Sequence, residues 1–408
     1  MRYLVQKFGG TSLATPELRE QVVSKITAAK NEGYLPVVVV SAIGRQGDPY
    51  ATDTLLKFVC GINPEISTRE LDNLMACGEI ISGVAMVATL ERHGLKAVFL
   101  TGGQAGIITD EQHNNACIIE VNPKLIHKYT ADETIVVVAG FQGQTKDGLV
   151  TTLGRGGSDT TAAALGVALN AEAVDIYTDV DGIMTADPRI VENARTLDVI
   201  TYNEICQLAH EGAKVVHPRA VEIAMQKNIP LRVKCTFSDA PGTLVTSYTE
   251  NGVVEIKRDR VITGITHIPN VTQLKIDISD SPADEYPQLK IFKSMALAGI
   301  SVDFININPD VVIYTVKDDT ASKAVQILEN MGFAPVITPK CAKVSTVGAG
   351  MAGVPGVMAS ILQALAHEKI KVMQTSDSHS TIWCLVKQEE MEKAIRALHN
   401  HFALGEQN

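Results

Sequence analysis

The sequence predicts an α/β architecture, an open sheet covered by helices over residues 1–245, followed by a smaller α+β part. Three observations lead there. Apolar runs such as Pro36-Val37-Val38-Val39-Val40, Ala97-Val98-Phe99-Leu100 and Thr134-Ile135-Val136-Val137-Val138-Ala139 lack in/out alternation, which is how strands buried on both faces read. Helical segments alternate with these runs, as in a sheet covered on both sides. After Pro241-Gly242-Thr243 the texture turns polar and charged, and a strand–helix–strand–strand–helix pattern then occurs twice.

The first strand, Tyr3-Leu4-Val5-Gln6, runs into Lys7-Phe8-Gly9-Gly10-Thr11-Ser12 and a helix from about Pro16 to Lys30. Glycines let backbone N–H groups approach an anion, and a helix N-terminus adds its positive end. Lys7 supplies a point charge. A purely steric turn is the alternative for the same glycines. The lysine precedes the glycines, so this is not a Walker A loop. Later strands also end in small or polar residues, namely Ser41-Ala42, Thr101-Gly102-Gly103 and Gly140-Phe141. Ligands of such folds gather at the carboxyl ends of strands.

A second block, Thr151-Thr152-Leu153-Gly154-Arg155-Gly156-Gly157-Ser158-Asp159-Thr160-Thr161, leads into an alanine-rich helix, Ala162 to Leu169. A plain turn needs neither three glycines nor an arginine, and Arg155 is suited to clamp a carboxylate through two parallel hydrogen bonds. Further on come Tyr177-Thr178-Asp179-Val180-Asp181-Gly182 and Thr185-Ala186-Asp187-Pro188-Arg189.

Residues 246–262 read as a linker. The first small unit, 272–340, runs from Gln273–Ile278 through a helix around Tyr286–Ala298, strands Val302–Ile307 and Val311–Val316, and a helix Thr320–Met331 to Pro335–Thr338. The second begins at Lys343–Val347, has helices at Val357–His367 and Glu389–Phe402, and stops without a fourth strand. The alternating run Val261–His267 is unpartnered before the first unit. It is assigned as the missing strand, so that 262–268 plus 341–403 form the second unit and the first is inserted into it.

With 408 residues, 45% of them apolar, the chain can bury substantial cores in two or three domains. A net charge of −10 without a basic run argues against nucleic acid. No unbroken apolar run is long enough for a membrane span, and Met1-Arg2-Tyr3 leads straight into a strand without a signal peptide, so a cytoplasmic protein is expected. The 7 cysteines are scattered without Cys-x-x-Cys spacing and are expected to be reduced and mostly buried. His399 and His401 are expected on a solvated helix end. Gly348-Ala349-Gly350-Met351-Ala352-Gly353 matches a dinucleotide fingerprint, yet too little chain follows for a nucleotide domain.

Lys-Phe-Gly-Gly-Thr-Ser, Gly-Arg-Gly-Gly-Ser-Asp and Thr-Asp-Val-Asp-Gly…Ala-Asp-Pro-Arg, in this order, resemble the aspartate kinases of the amino-acid-kinase (carbamate-kinase-like) fold. The duplicated units resemble paired ACT domains, ferredoxin-like βαββαβ modules that bind amino acids, nested as in those kinases. The resemblance implies transfer of the ATP γ-phosphoryl group to the β-carboxylate of L-aspartate, with Mg²⁺ carried by ATP and no separate metal site. That acceptor is ionised at neutral pH, so the chemistry needs no general base, only cations and amides that gather two anions.

The resemblance places Lys7 at the transferring group, with backbone amides from Gly9 and Gly10 and with Asp159 fixing Lys7 or a metal-bound water. A helix N-cap is the structural alternative for Asp159. It places Arg155 on the substrate α-carboxylate and Glu79 on the α-amino group, with Ser41, Thr52 and Ser158 beside them. Taken alone, Glu79 reads as an exposed helix residue. The glycine-rich loop Gly44–Ala51 would close over the substrate. Nucleotide contacts are implied for Thr178, Asp179, Asp187, Arg189 and Lys214, and Met184 stands where many members carry an aromatic residue. Lys214 alone reads as a surface lysine.

For an end-product effector the implied contacts are Ser279, Asp280, Val302 and Asp303 in the first unit. In the second they are Met351, Pro355, Gly356, Val357, Gln374, Thr375, Ser376 and Asp377. The segments Ser279–Asp284, Ser376–Trp383 and Gly47–Asp53 look most like the diaminopimelate-sensitive isoform, which favours meso-diaminopimelate or lysine as effector. A homo-oligomer built through the ACT units is implied. The rival readings are a related glutamate-type kinase and a non-catalytic amino-acid sensor.

Overall fold

The computed structural model describes residues 1–213, 215–247, 261–279, 286–351 and 353–406. They divide into two compact units. The first takes the described residues of Met1–Ile183, Thr196–His210 and Lys214–Glu255, and the second those of Met184–Arg195, Glu211–Ala213 and Ile256–Asn408. The expected linker falls largely on 248–260, outside the described residues.

In the first unit an eight-stranded sheet runs, in spatial order, Val199–Thr201, Thr243–Thr246, Leu231–Cys235, Ala173–Thr178, Tyr3–Phe8, Leu35–Val40, Ile135–Ala139 and Ala97–Leu100. Every adjacent pair from Leu231–Cys235 to Ala97–Leu100 is parallel. Val37 to Val40 and Val136 to Ala139 have no exposed surface, as non-alternating strands under two helical layers require. The helix Pro16–Asn31 starts on Thr15, whose Oγ1 accepts the Leu18 N–H, with Pro16 in its first turn. Its Val22, Val23 and Ile26 pack with Met86 and Leu90 of the helix Thr68–Arg92 over Phe8, Val38 and Val137. That 25-residue helix is long and apolar enough to cross a membrane by length and composition alone, and half of its most apolar window is buried inside the protein.

Two features were not foreseen. A separate four-stranded sheet is built from Ile118–Val121, Ile107–Thr109, Gln142–Gln144 and Val150–Thr152. The alanine-rich helix spans Gly157–Ala168, five residues earlier than its alanines predict, so that Ser158 and Asp159 lie in its first turn.

The second unit carries a six-stranded sheet in the order Asp303–Ile307, Val311–Lys317, Gly264–Asp277, Val336–Val347, Thr381–Lys387, Gln374–Asp377. Gly264–Asp277 is one strand of 14 residues. Its first half pairs with Lys343–Val347 and its second with Val311–Lys317, the register shifting between Ile268 and Val271. The helices Pro287–Leu297 and Asp318–Asn330 contribute Ile291, Met295 and Leu328 to a core with Leu274, Ile276 and Tyr314. The helices Val357–His367 and Met391–His401 contribute Ile361, Leu365, Ile395 and Leu398 to a second core with Ile265, Val344 and Val386.

Ala186 and Val191 belong to this second core. The stretch carrying them is fastened by Thr185 Oγ1, 2.9 Å from His399 Nε2, and by Arg195 Nε donating to the Leu404 carbonyl at 2.8 Å. His399 is therefore buried, and the expected solvated helix end holds for His401 only. The cysteines also differ from expectation: Cys235, Cys341 and Cys384 are buried, whereas Cys77 and Cys117 are exposed. The Gly348–Gly353 loop leaves a strand that is antiparallel to both its neighbours, which is not the parallel unit a dinucleotide requires. A Cβ at Gly348 would stand 2.1 Å from the Val261 carbonyl oxygen, so that glycine serves close packing.

Candidate active site

Lys7 is the penultimate residue of the strand Tyr3–Phe8, in register with Val39 and Ile176 on either side. Phe8 stacks on Tyr177 with centroids 4.6 Å apart, which fixes the strand's carboxyl end. The chain then turns at Gly9 into the short helix Gly10–Leu13. Gly10 has no alternative, since a Cβ there would lie 2.2 Å from the Ala42 carbonyl oxygen. Backbone from two strand ends thus meets beside Lys7.

The Lys7 ammonium lies 2.7 Å from Asp159 Oδ1, with about an eighth of each side chain exposed. Asp159 is delivered by the helix Gly157–Ala168, whose cap Gly156 is left-handed at φ +71°. A Cβ on Gly156 would fall 2.2 Å from His217 Cγ. The His217 N–H faces Asp159 Oδ2 at 3.4 Å. Arg219 donates to the Leu153 carbonyl at 2.7 Å and to the Ala116 carbonyl at 2.6 Å, holding the run that enters Gly154.

Glu79 sits on the helix Thr68–Arg92 and is 2% exposed, which overturns its reading as a surface residue. Its Oε1 accepts the Ala42 N–H at 3.0 Å, while Oε2 has no partner among the described residues. Burial pushes the carboxyl up to about 8, against the pull of the Ala42 N–H. Gly78 permits the approach, since a Cβ there would be 2.8 Å from that of Ala42. One turn before Met75 on the same helix, Asp72 is wholly buried. It accepts bonds from the Thr152 N–H and hydroxyl and from the Asn114 N–H, and contacts His113 Nδ1 at 2.8 Å.

These groups surround a cavity of about 330 Å³. Lys7, Gly10 and Asp159 border it, together with Ser41, Thr52, Glu79, Arg155 and Ser158. Gly9 adjoins it, with its Cβ position 3.8 Å from Lys7 Nζ. Arg155 is exposed and forms no ion pair among the described residues. The cavity offers two cations, a buried half-satisfied carboxyl and strand-end backbone, a set suited to both anions and an amine.

A profile of the amino acid kinase family matches residues 2–235, more than half of the chain, and a profile of the ACT domain matches residues 336–400. Aspartokinase 1 of Bacillus subtilis (strain 168) is 52% identical over 405 residues, covering 99% of this chain and 100% of that one. The chain belongs to the aspartokinases. Solved structures of aspartokinases agree. The Clostridium acetobutylicum aspartate kinase superposes with a TM-score of 0.81 at 26% identity, covering 98% of this chain and 100% of that one. Escherichia coli aspartokinase III in complex with aspartate and ADP gives 0.74 at 25%, and in complex with lysine and aspartate 0.77 at 26%. Both cover 98% of this chain and 99% of theirs.

In this aspartokinase the nucleotide candidates are spread over the chain. Thr178 ends a strand of the first unit and Asp179 follows it, with Asp179 Oδ2 pairing with Arg45 at 3.0 Å. Met184, Asp187 and Arg189 belong to the second unit, and the last two pair with each other at 2.7 Å. Lys214 and Asp280 lie outside the described residues. Among the effector candidates, Val302, Asp303 and Ser376 border one cavity. Gln374 donates to the Phe304 carbonyl beside it. Met351 and Val357 are packed into the second core. Pro355, Gly356, Thr375 and Asp377 are exposed, as is Ser279, which bonds Asp277.

The sequence reading assigned no role to Asp72, His217 or Arg219. Asp72 had a signal: Asp72, Met75, Ala76 and Glu79 follow helical spacing, so two acids fall on an apolar stripe. His217 and Arg219 had none, because each acts on residues more than 50 positions away.

Proposed function

We propose that this aspartokinase carries out phosphoryl transfer in the cavity around Lys7. A β-carboxylate oxygen of L-aspartate attacks the γ-phosphorus of ATP. The new P–O bond forms as the bond to the bridging oxygen breaks, releasing ADP and 4-phospho-L-aspartate. In the cell this would be the first step towards lysine, diaminopimelate, threonine and methionine. The carrying observation is that the Lys7–Asp159 pair, Arg155 and the free oxygen of Glu79 border one cavity.

Lys7 and the amides of Gly9 and Gly10 would absorb charge on the transferring group, and Asp159 holds the ammonium in place. Arg155 would grip the α-carboxylate, Glu79 the α-ammonium, and Ser41, Thr52 and Ser158 the remaining polar edges. In the first unit, Thr178, Asp179 and Lys214 would take the nucleotide. Mg²⁺ would arrive on the ATP phosphates and offset their charge, and the hard oxygen of Asp159 fits such an ion or its water.

The ACT part would bind an end-product amino acid, with lysine or meso-diaminopimelate favoured. The E. coli aspartokinase III complex with lysine supports an amino-acid effector. The edge strands Asp303–Ile307 and Gln374–Asp377, with Ile305 and Ile307 exposed, suit assembly of copies through these sheets. The test is hydroxylamine trapping of the acyl phosphate with ATP, Mg²⁺ and L-aspartate, with L-glutamate as control. Aspartate-dependent hydroxamate is expected, and equal product from glutamate would overturn the substrate assignment.

A further inference from the structure

The second unit holds a cavity of about 220 Å³ with walls from the edge strand Asp303–Ile307 and from the three strands at the other side of its sheet. Val302 to Ile305 form one wall, and Lys343, Ser376 and Trp383 the other. Gln374 Nε2 clamps the two edges by donating to the Phe304 carbonyl at 2.6 Å. Phe304 and Trp383 share an apolar cluster with Val271, Cys341 and Leu385. The sheet is therefore curled, and Phe304 is held at φ +56°, a region bulky residues avoid.

Lys343 is the charged centre of this cavity. Its side chain is 6% exposed, and its ammonium lies 2.6 Å from Asp303 Oδ2, 2.9 Å from Glu211 Oε2 and 5.5 Å from the Trp383 ring centroid. The two carboxylates differ in kind. Asp303 is open to solvent at 62% exposure, whereas Glu211 is buried and also accepts the Ser345 hydroxyl at 2.8 Å. Glu211 opens the stretch Glu211–Ala213, which belongs to this unit although the helix Tyr202–His210 before it belongs to the other. Thr266 donates to the Glu211 carbonyl at 3.1 Å. Gly212, at φ +116°, has no room for a side chain, its Cβ position lying 2.2 Å from the His267 carbonyl oxygen. The pinned stretch leads directly into Lys214.

We propose that this cavity takes an amino-acid zwitterion and that Lys343 relays its occupancy to residues 211–213 through Glu211. The proposal rests on the reading of the ACT part as effector-binding and names its route. The ligand ammonium pairs with Asp303, and its carboxylate draws Lys343 away from Glu211. A buried carboxylate stripped of its cation is costly, so Glu211 gives up its contacts with the sheet and takes the stretch before Lys214 with it. Glu211 is a positioning residue that touches neither substrate nor effector.

The full-length enzyme is titrated with L-lysine, meso-diaminopimelate and L-threonine. Fluorescence of Trp383, the only tryptophan, reports binding, and hydroxamate formation reports activity. In Glu211→Gln uninhibited kcat is expected to match wild type and the fluorescence midpoint to lie at or below the wild-type value, while half-inhibition needs about tenfold more effector or beyond. Wild-type inhibition of that variant overturns the relay but leaves effector binding standing. Asp303→Asn, at an exposed position that poses little risk to folding, is expected to shift the fluorescence midpoint by about tenfold. An unchanged midpoint there overturns the cavity as the site. If no probe changes fluorescence or activity in wild type, the effector reading fails and the relay with it.

Discussion

Lys7 and Asp159, 152 residues apart in the sequence, meet at 2.7 Å where a strand end faces a helix start. The ammonium is thereby aimed before any phosphate arrives. Preorganised charge of this kind acts at the transition state rather than on the ground state. Lys7→Ala is expected to lower kcat by about 10²–10³-fold. The far-ultraviolet circular dichroism spectrum should be unchanged. Near-normal turnover would remove Lys7 from the mechanism.

With Glu79 pairing with the substrate ammonium as proposed, aspartate binding is expected to depend on pH. Its carboxyl titrates at about 8, so it is mostly neutral in the empty site at pH 6 to 7. An ammonium ligand needs the ionised form. The KM for aspartate should therefore fall by about tenfold per pH unit from pH 6 and level off near pH 8. Glu79→Gln should raise KM and flatten the profile. Initial rates across pH give both.

Arg155 forms no ion pair among the described residues, so its fork remains available to a ligand. Arg155→Ala should raise the KM for aspartate by about 10- to 100-fold with a smaller change in kcat. Arg155→Lys keeps the charge and loses the two-pronged geometry, and should recover only part of the loss. Saturation curves for the two variants test this. Equal KM values in wild type and Arg155→Ala would free the residue of its role.

Asp72 holds the approach to Arg155 by taking the Thr152 N–H and hydroxyl. In Asp72→Asn an amide NH₂ must face at least one of these buried donors or those of the 113–114 turn. A loss of about 2–3 kcal/mol is expected in the first urea transition. A weaker grip on aspartate should accompany it.

Much of the first unit was legible because its strands are long and apolar on both faces, and because Lys7 and Asp159 stand in glycine-rich motifs. The four-stranded sheet was not, since its strands are only three or four residues long and carry no period. The helix at Gly157 begins early because Gly156 supplies a left-handed cap, a backbone property that the alanine pattern conceals. His399 misled for a different reason. Its partner Thr185 lies 214 residues upstream, and no local pattern marks a histidine as buried. Glu79 shows the same limit, because its partner, the Ala42 N–H, lies just past a strand end 37 residues away in the sequence.

The 14-residue strand Gly264–Asp277 has a consequence for how such regulators can be recombined. Its halves serve different cores while sharing one backbone and one pleat. A crossover with a relative inside Gly264–Val347 would join registers from two parents, and a slip of one residue turns every following side chain to the other face. Exchange of the effector-sensing region should therefore succeed as a whole cassette and fail as a half. Heating should melt both halves in a single step.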